Sequence, residues 1–285
     1  MKNTRNLFGI IALAAVIALA MAGCKTDDDP CAHSWGSWAQ KTAATCTAAE
    51  VEERACALCG EKQTQAGEAA LGHLSNSWNW TTYIASTGKV KCTRDANCAG
   101  GFAVIGDTGP AGGKIFYVAS AGFPVDGYSG TTGSFAIYTA HYLEVAAADE
   151  GSNIKWSDDL GTAIPNVTTF TSNSDAEASF IGNGRKDTRI INDYLFGKES
   201  GTAAQVCVAK TTGSYNDWFL PSLGELNLMY IAKDTHGVTG LPGNVWIWSS
   251  SQRGAGSAWN QRFDNGNRFF FNKDDGYNVR AIRAF

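Results

Sequence analysis

Proline is scarce in this chain, with 6 residues among 285, and only 3 are methionine. The scarcity contrasts with 32 Gly, 14 Phe, 9 Trp and 9 Tyr, the balance of an aromatic-rich, turn-rich globular protein. A large excess of one charge is also missing. The 23 basic and 27 acidic residues leave a net charge of −4, and no basic patch argues for a nucleic-acid partner. Disorder is excluded for most of the chain, because 44% of its residues are apolar. Long hydrophobic runs are confined to the start, and after residue 101 cysteine dwindles to Cys207 alone. The length suffices for one large or two small domains.

The one apolar run, Leu7–Ala22, follows Lys2 and Arg5 and is short for a membrane span. A positive start, an apolar middle and small residues at the end describe a secretion signal over residues 1–23. Leu19-Ala20-Met21-Ala22-Gly23-Cys24 resembles the lipobox of bacterial lipoproteins, with Met21 where Leu is usual. The resemblance implies cleavage before Cys24 and acylation of Cys24, and two or more acyl chains hold a protein stably on a membrane. Residues 24–30 then form an acylated tether of solvated residues. The expected location is the bacterial cell envelope, at the outer membrane surface.

Residues 31–100 hold six of the eight cysteines and two of the four histidines, and the shift in cysteine use marks a boundary near residue 101. An echo recurs after about 40 residues, the spacing of small repeated modules. His33-Ser-Trp35 returns as His73 to Trp78, and Cys56-x-x-Cys59-Gly60 returns loosely as Cys92-x5-Cys98 before Gly100. Cys31, His33, Cys46, Cys56, Cys59 and His73 supply a plausible structural zinc set. Disulfides are the equal alternative, since an exported protein meets an oxidising medium. Either device would staple segments too small to make a core. The second repeat lacks a counterpart of Cys46.

From residue 101 to 285 the pattern is that of an α+β domain. Gly106 to Gly113 reads as a turn leading into a strand at Ile115. It fails the phosphate-loop pattern: Ile115 follows Lys114, and Thr108 stands where the first Gly belongs. Thr188–Lys210 has helical spacing broken near Gly197 and Gly201. Ser222 with Glu225 forms a capping box for a further helix. Strands are expected at 245–250, 258–263, 268–272 and 277–284, with a hairpin turn at Asn265-Gly266.

The last forty residues combine a strand frame (Trp246, Trp248, Trp259, Val279, Ile282) with side chains that suit neither a core nor a plain solvated strand. Arg253, Gly254, Ala255, Gly256, Ser257, Arg262, Asp264, Arg268, Phe269, Phe270, Phe271, Asp274, Asp275, Gly276 and Tyr277 are the candidate ligand-binding residues. Aromatic anchors and arginines carry affinity in protein interfaces. In an extended Phe269-Phe270-Phe271, one face is expected to be buried and the other displayed. Arg280 and Arg283 are expected to make structural hydrogen bonds, and Asp274-Asp275-Gly276 reads as an acidic turn rather than a calcium loop.

Three motifs recur in order over residues 104–285: Gly106-Asp107 to Tyr117, Asp217-Trp218 to Leu226, and Trp248-Ser249-Ser250-Ser251 with Val279-Arg280 to Arg283. They resemble the bacterial domain related to the C-terminal domain of the Legionella collagen-like adhesin. The resemblance implies a C-type-lectin-like fold of the formylglycine-generating-enzyme subclass, preceded here by the small Cys/His-rich repeats. The ending, about 248–285, is similar to the variable region of lipoproteins diversified by retroelements, as found in spirochaetes. In such systems adenines of a template are randomised, and Asn codons of the form AAY are favoured targets. Those codons cannot yield Trp, Gln, Lys, Glu or Met. Between 252 and 277, Gln252, Trp259, Gln261 and Lys273 are therefore out of reach, whereas all fifteen candidates are reachable. Asn260, Asn265, Asn267 and Asn272 are compatible with either frame or template.

The resemblance implies a surface-displayed lipoprotein that binds a protein or other macromolecular ligand, touches the membrane through its lipid and needs no cofactor for binding. Alternatives on the same fold are a fixed adhesin for carbohydrate or glycosaminoglycan, and an exported enzyme. The chain is expected not to be an enzyme: Cys207 lacks a second cysteine, and neither His141 nor His236 has a nucleophile pattern beside it.

Overall fold

Short β-branched and aromatic runs punctuated by glycine turns give fifteen strands and three helices among the described residues of the computed structural model. The structure describes residues 33–46, 48–73, 76–94, 98–172 and 181–285. The signal segment, Cys24, the tether and Cys31 lie outside them. No helix among the described residues is long and apolar enough to cross a membrane. The chain divides into two units, Met1–Gly72 and His73–Phe285. The second Cys/His repeat thus shares a unit with the residues that follow it.

In the N-terminal unit, β1 (Ala39–Thr42), β2 (Val51–Ala55) and β3 (Lys62–Ala66) form an antiparallel sheet. None of these strand residues is buried. Arg54 stacks over Trp35 and Trp38 at 5.0 and 4.4 Å, and Glu53 bridges Lys41 and Lys62. The only buried apolar side chains among this unit's described residues are Cys46 and Cys56.

The C-terminal unit opens with the hairpin β4 (Trp78–Ile84) and β5 (Lys89–Cys92). Two larger sheets follow. One contains β6 (Lys114–Val125), β9 (Tyr138–Val145) and β15 (Ile282–Ala284) in the order β15-β9-β6. The other contains β10 (Gly151–Ile154), β11 (Trp246–Gln252), β12 (Ser257–Arg262), β13 (Arg268–Asn272) and β14 (Tyr277–Val279) in the order β10-β14-β11-β12-β13. A small hairpin joins β7 (Tyr128–Gly130) to β8 (Gly133–Phe135). The last expected strand, 277–284, is therefore two strands in two sheets. Arg280 and Ala281 carry the chain from one sheet to the other, and the buried Arg280 guanidinium donates to the Gly240 carbonyl at 2.8 Å.

Helices α1 (Gly184–Leu195) and α2 (Ala203–Ala209) replace the broken helical stretch, with Gly197 and Gly201 at positive φ between them. Helix α3 (Leu223–Asp234) starts at the Ser222–Glu225 capping box. One apolar core lies between α3 and the three-stranded sheet, through Leu226, Met229, Phe116, Leu143 and Ile282. A second gathers Ile191, Leu195, Cys207, Trp156, Trp218 and Trp248. Cys207 is a packing residue, with its thiol pushed well up by burial.

Candidate functional site

The platform is the run β11–β12–β13. Antiparallel register sets Trp248 opposite Asn260 and Asn260 opposite Phe269, so these three share one face. Trp259 and Phe270 are opposite each other on the other face. Strand β13 is the edge of its sheet. The Asn265-Gly266 turn precedes it, with Gly266 at φ +73° under the Tyr230 ring.

None of the fifteen candidate residues is buried. Arg253, Asp264, Phe269 and Asp274 are exposed, and the other eleven are half-buried. The four residues that AAY codons cannot yield are all interior: Gln252 is 1%, Trp259 2%, Gln261 0% and Lys273 0% exposed. Asn260 is also interior, whereas Asn265, Asn267 and Asn272 are exposed. Trp248, Val279 and Ile282 are buried as a frame requires, but Trp246 is only half-buried. Its indole meets Phe271 edge-on at 5.0 Å rather than entering the core.

Three of the four residues that AAY codons cannot yield are polar, and each ties the platform to a neighbouring segment. The Gln252 amide donates to the Ile164 carbonyl at 2.7 Å and accepts from its N–H at 3.1 Å. The Lys273 ammonium donates to Gln252 Oε1 at 3.2 Å and to the Thr162 carbonyl at 3.4 Å, and lies 4.6 Å from the centre of the Trp156 ring. Burial drives Lys273 down to about 8, against the pull of the Asp159 and Glu199 carboxylates. Gln261 donates to Asn227 Oδ1 at 2.8 Å and to the Gly266 carbonyl at 3.2 Å. The bonds of Gln252 and Lys273 hold their segments in one arrangement, whereas Gln261 Oε1 and both polar atoms of the Asn260 side chain have no hydrogen-bond partner among the described residues.

The triple phenylalanine does not divide into one buried and one displayed face. Phe269 is 50% exposed. Phe270 leans over Trp259 at 5.4 Å on one face, and Phe271 meets Tyr277 at 4.6 Å on the other. An edge strand has a neighbour on one side only, so both of its faces are partly open. The Arg253 guanidinium covers Phe270 at 3.9 Å. Arg262 pairs with Asp264 at 2.7 Å and reaches Asn244 at 2.7 Å, and its charge holds Asp264 below the usual carboxylate range. An open groove of about 550 Å³ runs between Trp246, Gly266, Asn267, Arg268, Phe269 and Phe271. The candidate glycines differ in freedom. A Cβ at Gly254 meets nothing within 4 Å, whereas one at Gly276 falls 2.0 Å from Asn153 Oδ1 and one at Gly256 falls 3.2 Å from the Leu160 carbonyl.

The motif residues that are not on this face form a buried polar network. The glycine turn before β6 holds an internal anion. Glu144, fully buried, accepts from Gly113 N at 2.8 Å and Ala111 N at 3.0 Å, and Arg283 reaches it at 3.2 Å. Burial raises the Glu144 pKa, and the Arg283 charge opposes that rise. A Cβ on Gly113 would stand 1.9 Å from the Val145 carbonyl, which accounts for the glycine. Arg283 also forks onto Asp217 at 2.9 and 3.0 Å, the structural role expected of it. His141 is buried in β9 with Nδ1 3.0 Å from the Ala119 carbonyl, and His236 is on the surface.

The cysteine–histidine residues do not assemble as the single set expected from sequence. His33, Cys56 and Cys59 form one group, and His73 joins Cys92 and Cys98 in the C-terminal unit; ligand atoms within each group lie within 4.8 Å of one another. Cys46 does not belong to the His33 group. In that group His33 Nδ1 faces Cys59 Sγ at 3.5 Å, while His33 Nε2 meets Glu61 at 3.2 Å. Burial opposes ionisation of Cys56, but the Cys59 and Leu58 amides and His33 outweigh it and hold the thiol at about 6. Sequence spacing shows which residues can ligate but not which knuckle takes which histidine.

No family model matches the chain, and no curated protein matches it either. Among solved structures, the chain is similar to a fimbrial protein from Bacteroides ovatus at 15% identity and a TM-score of 0.43. The match covers 84% of this chain and 57% of that one, so the chain spans little over half the length of the protein it matches.

Proposed function

We propose that this chain is a surface-displayed lipoprotein whose C-terminal face binds a macromolecular ligand and is diversified by a retroelement. On this reading the C-terminal domain has the C-type-lectin-like fold of the formylglycine-generating-enzyme subclass, and the chain resembles Treponema variable protein A. The observation that carries the reading is the division of the tail by burial. The residues that AAY randomisation cannot produce are interior, and the fifteen reachable candidates reach solvent. Two further features support a macromolecule over a small sugar: the face is broad, and its three Arg, three Asp and four aromatic side chains offer charge selection and apolar area together. The Cys/His repeats act as a spacer above the membrane, Cys24 carries the lipid, and no catalytic step is assigned.

The test is the DNA around the gene and its variation within a population. A near-copy of the 3′ end should lie nearby, with AAY codons opposite the candidate positions, together with a reverse transcriptase. Differences between isolates should concentrate at those codons and spare Trp259. A locus without the near-copy, or changes spread evenly across residues 246–285, leaves the fixed-adhesin reading in its place.

A further inference from the structure

The C-terminal unit carries a second feature that ligand binding does not use. His73, Cys92 and Cys98 converge beneath the β4–β5 hairpin. Both cysteines are interior, at 4% and 2% exposure. His73 Nδ1 stands 3.8 Å from Cys98 Sγ. In a tetrahedral zinc site, with bonds of about 2.3 Å to sulfur and about 2.0 Å to nitrogen, neighbouring ligand atoms lie about 3.5 Å apart. The group is thus preformed to within small side-chain adjustments. Backbone amides supply the rest of a thiolate's needs: Cys92 N and Gly100 N both point at Cys98 Sγ, at 3.4 and 3.3 Å. Trp78, paired in register with Cys92, lies against the imidazole at 5.0 Å.

We infer that His73, Cys92 and Cys98 are ligands of a structural zinc ion that fastens this hairpin to the binding domain. The fastening is direct. Trp78 beside the site donates its indole N–H to Asp107 at 2.6 Å, and Asp107 also accepts from Val104 N at 2.9 Å in the loop before β6. Further along the hairpin, Tyr142 of β9 donates to the Gly88 carbonyl at 2.7 Å, and Trp80 and Tyr83 close over Phe285 at 5.6 and 5.5 Å. The hairpin has little core of its own, since the buried residues of its strands are Trp78, Val90 and Cys92. Zinc supplies folding free energy that so small an element lacks. The site is separate from the His33, Cys56 and Cys59 group, which has its own carboxylate orienting the histidine, a common companion of metal-bound imidazole.

The experiment uses the full chain, purified without chelator and without added reductant. Metal analysis of the wild type is compared with the Cys92→Ser/Cys98→Ser and Cys56→Ser/Cys59→Ser variants. Each double variant should lose one equivalent of zinc and keep the other. Cobalt loading of the wild type should give the intense thiolate-to-metal bands of a tetrahedral site, and these should weaken in either variant. A measurement that needs no variant guards against misfolding: in the wild type, Cys92 and Cys98 should react with an alkylating agent only after zinc is stripped. Chelation should also lower the melting temperature of the C-terminal unit in the wild type but not in the Cys92→Ser/Cys98→Ser variant. Zinc content unchanged by that substitution, or a Cys92–Cys98 disulfide with no metal in the freshly purified protein, overturns the inference.

Discussion

Replacing Trp259 by Ala should destabilise the chain more than replacing Arg253, Phe269 and Asp274 together by Ala. The first change removes one side chain and the second removes three. Trp259 is 2% exposed, packs against Phe170, Leu223 and Phe270, and donates its indole N–H to the Phe170 carbonyl at 3.1 Å. Truncating a buried Trp costs about 3–5 kcal/mol. Orphaning the Phe170 carbonyl adds about 1 kcal/mol or more. The triple variant loses the Arg253 stack on Phe270, about 0.5–1 kcal/mol at an exposed site. Phe269 is half exposed and forfeits about 1 kcal/mol of apolar burial. Asp274 is exposed, and surface substitutions of that kind stay within about 0.5 kcal/mol. At about 2–4 °C per kcal/mol for a domain of this size, Trp259→Ala should lower the melting temperature by about 8–24 °C and the triple variant by about 3–10 °C. Calorimetry that resolves the C-terminal transition reads both. A triple variant as destabilised as Trp259→Ala would refute the claim that the tail separates into an interior frame and a replaceable face.

Asp187 gives a pH-dependent prediction. It is 1% exposed, with Oδ1 accepting from Thr168 N at 3.2 Å and Oδ2 without a partner. Burial, reinforced by the Glu225 carboxylate, raises it from 3.8 to about 7. Between those values the folded chain keeps a proton that the unfolded chain releases, so stability falls as pH rises from about 4 to about 7. The full effect corresponds to about 4 kcal/mol. Asp187→Asn should flatten the decline of the urea midpoint between about pH 4 and about pH 7, and an unchanged slope would remove Asp187 as its source. For Cys24, which lies outside the described residues, Cys24→Ser should abolish labelling by a radioactive fatty acid and release the chain from the membrane fraction. Retained labelling would place the acyl group elsewhere.

Local chemistry was readable wherever a short-range rule decided it. Helix α3 begins at its Ser222–Glu225 box, and the hairpin between β12 and β13 turns at Asn265-Gly266. Long-range choices were less visible. The 277–284 stretch reads as one strand because its alternation continues through Arg280, yet its halves pair with β11 and β9, partners that no local pattern identifies. Hydropathy also hides the site's frame: Gln252, Gln261 and Lys273 look like surface residues, and only the codon pattern set them apart before burial was known. The metal ligands were recognisable as residue types, but the assignment of His73 to Cys92 and Cys98 is a property of the folded chain.

The polar interior of the tail has a genetic consequence under the proposed function. Trp259 is encoded by TGG, a triplet with no adenine, and is immune to adenine-directed error. Every glutamine and lysine codon contains at least one adenine. Each round of copying would therefore place Gln252, Gln261 and Lys273 at risk along with the intended targets. Some progeny would lose the ties to Ile164, Asn227 and Thr162 and fail to fold. The working repertoire would be smaller than the number of sequences written, and folding would be the first selection that each new receptor meets.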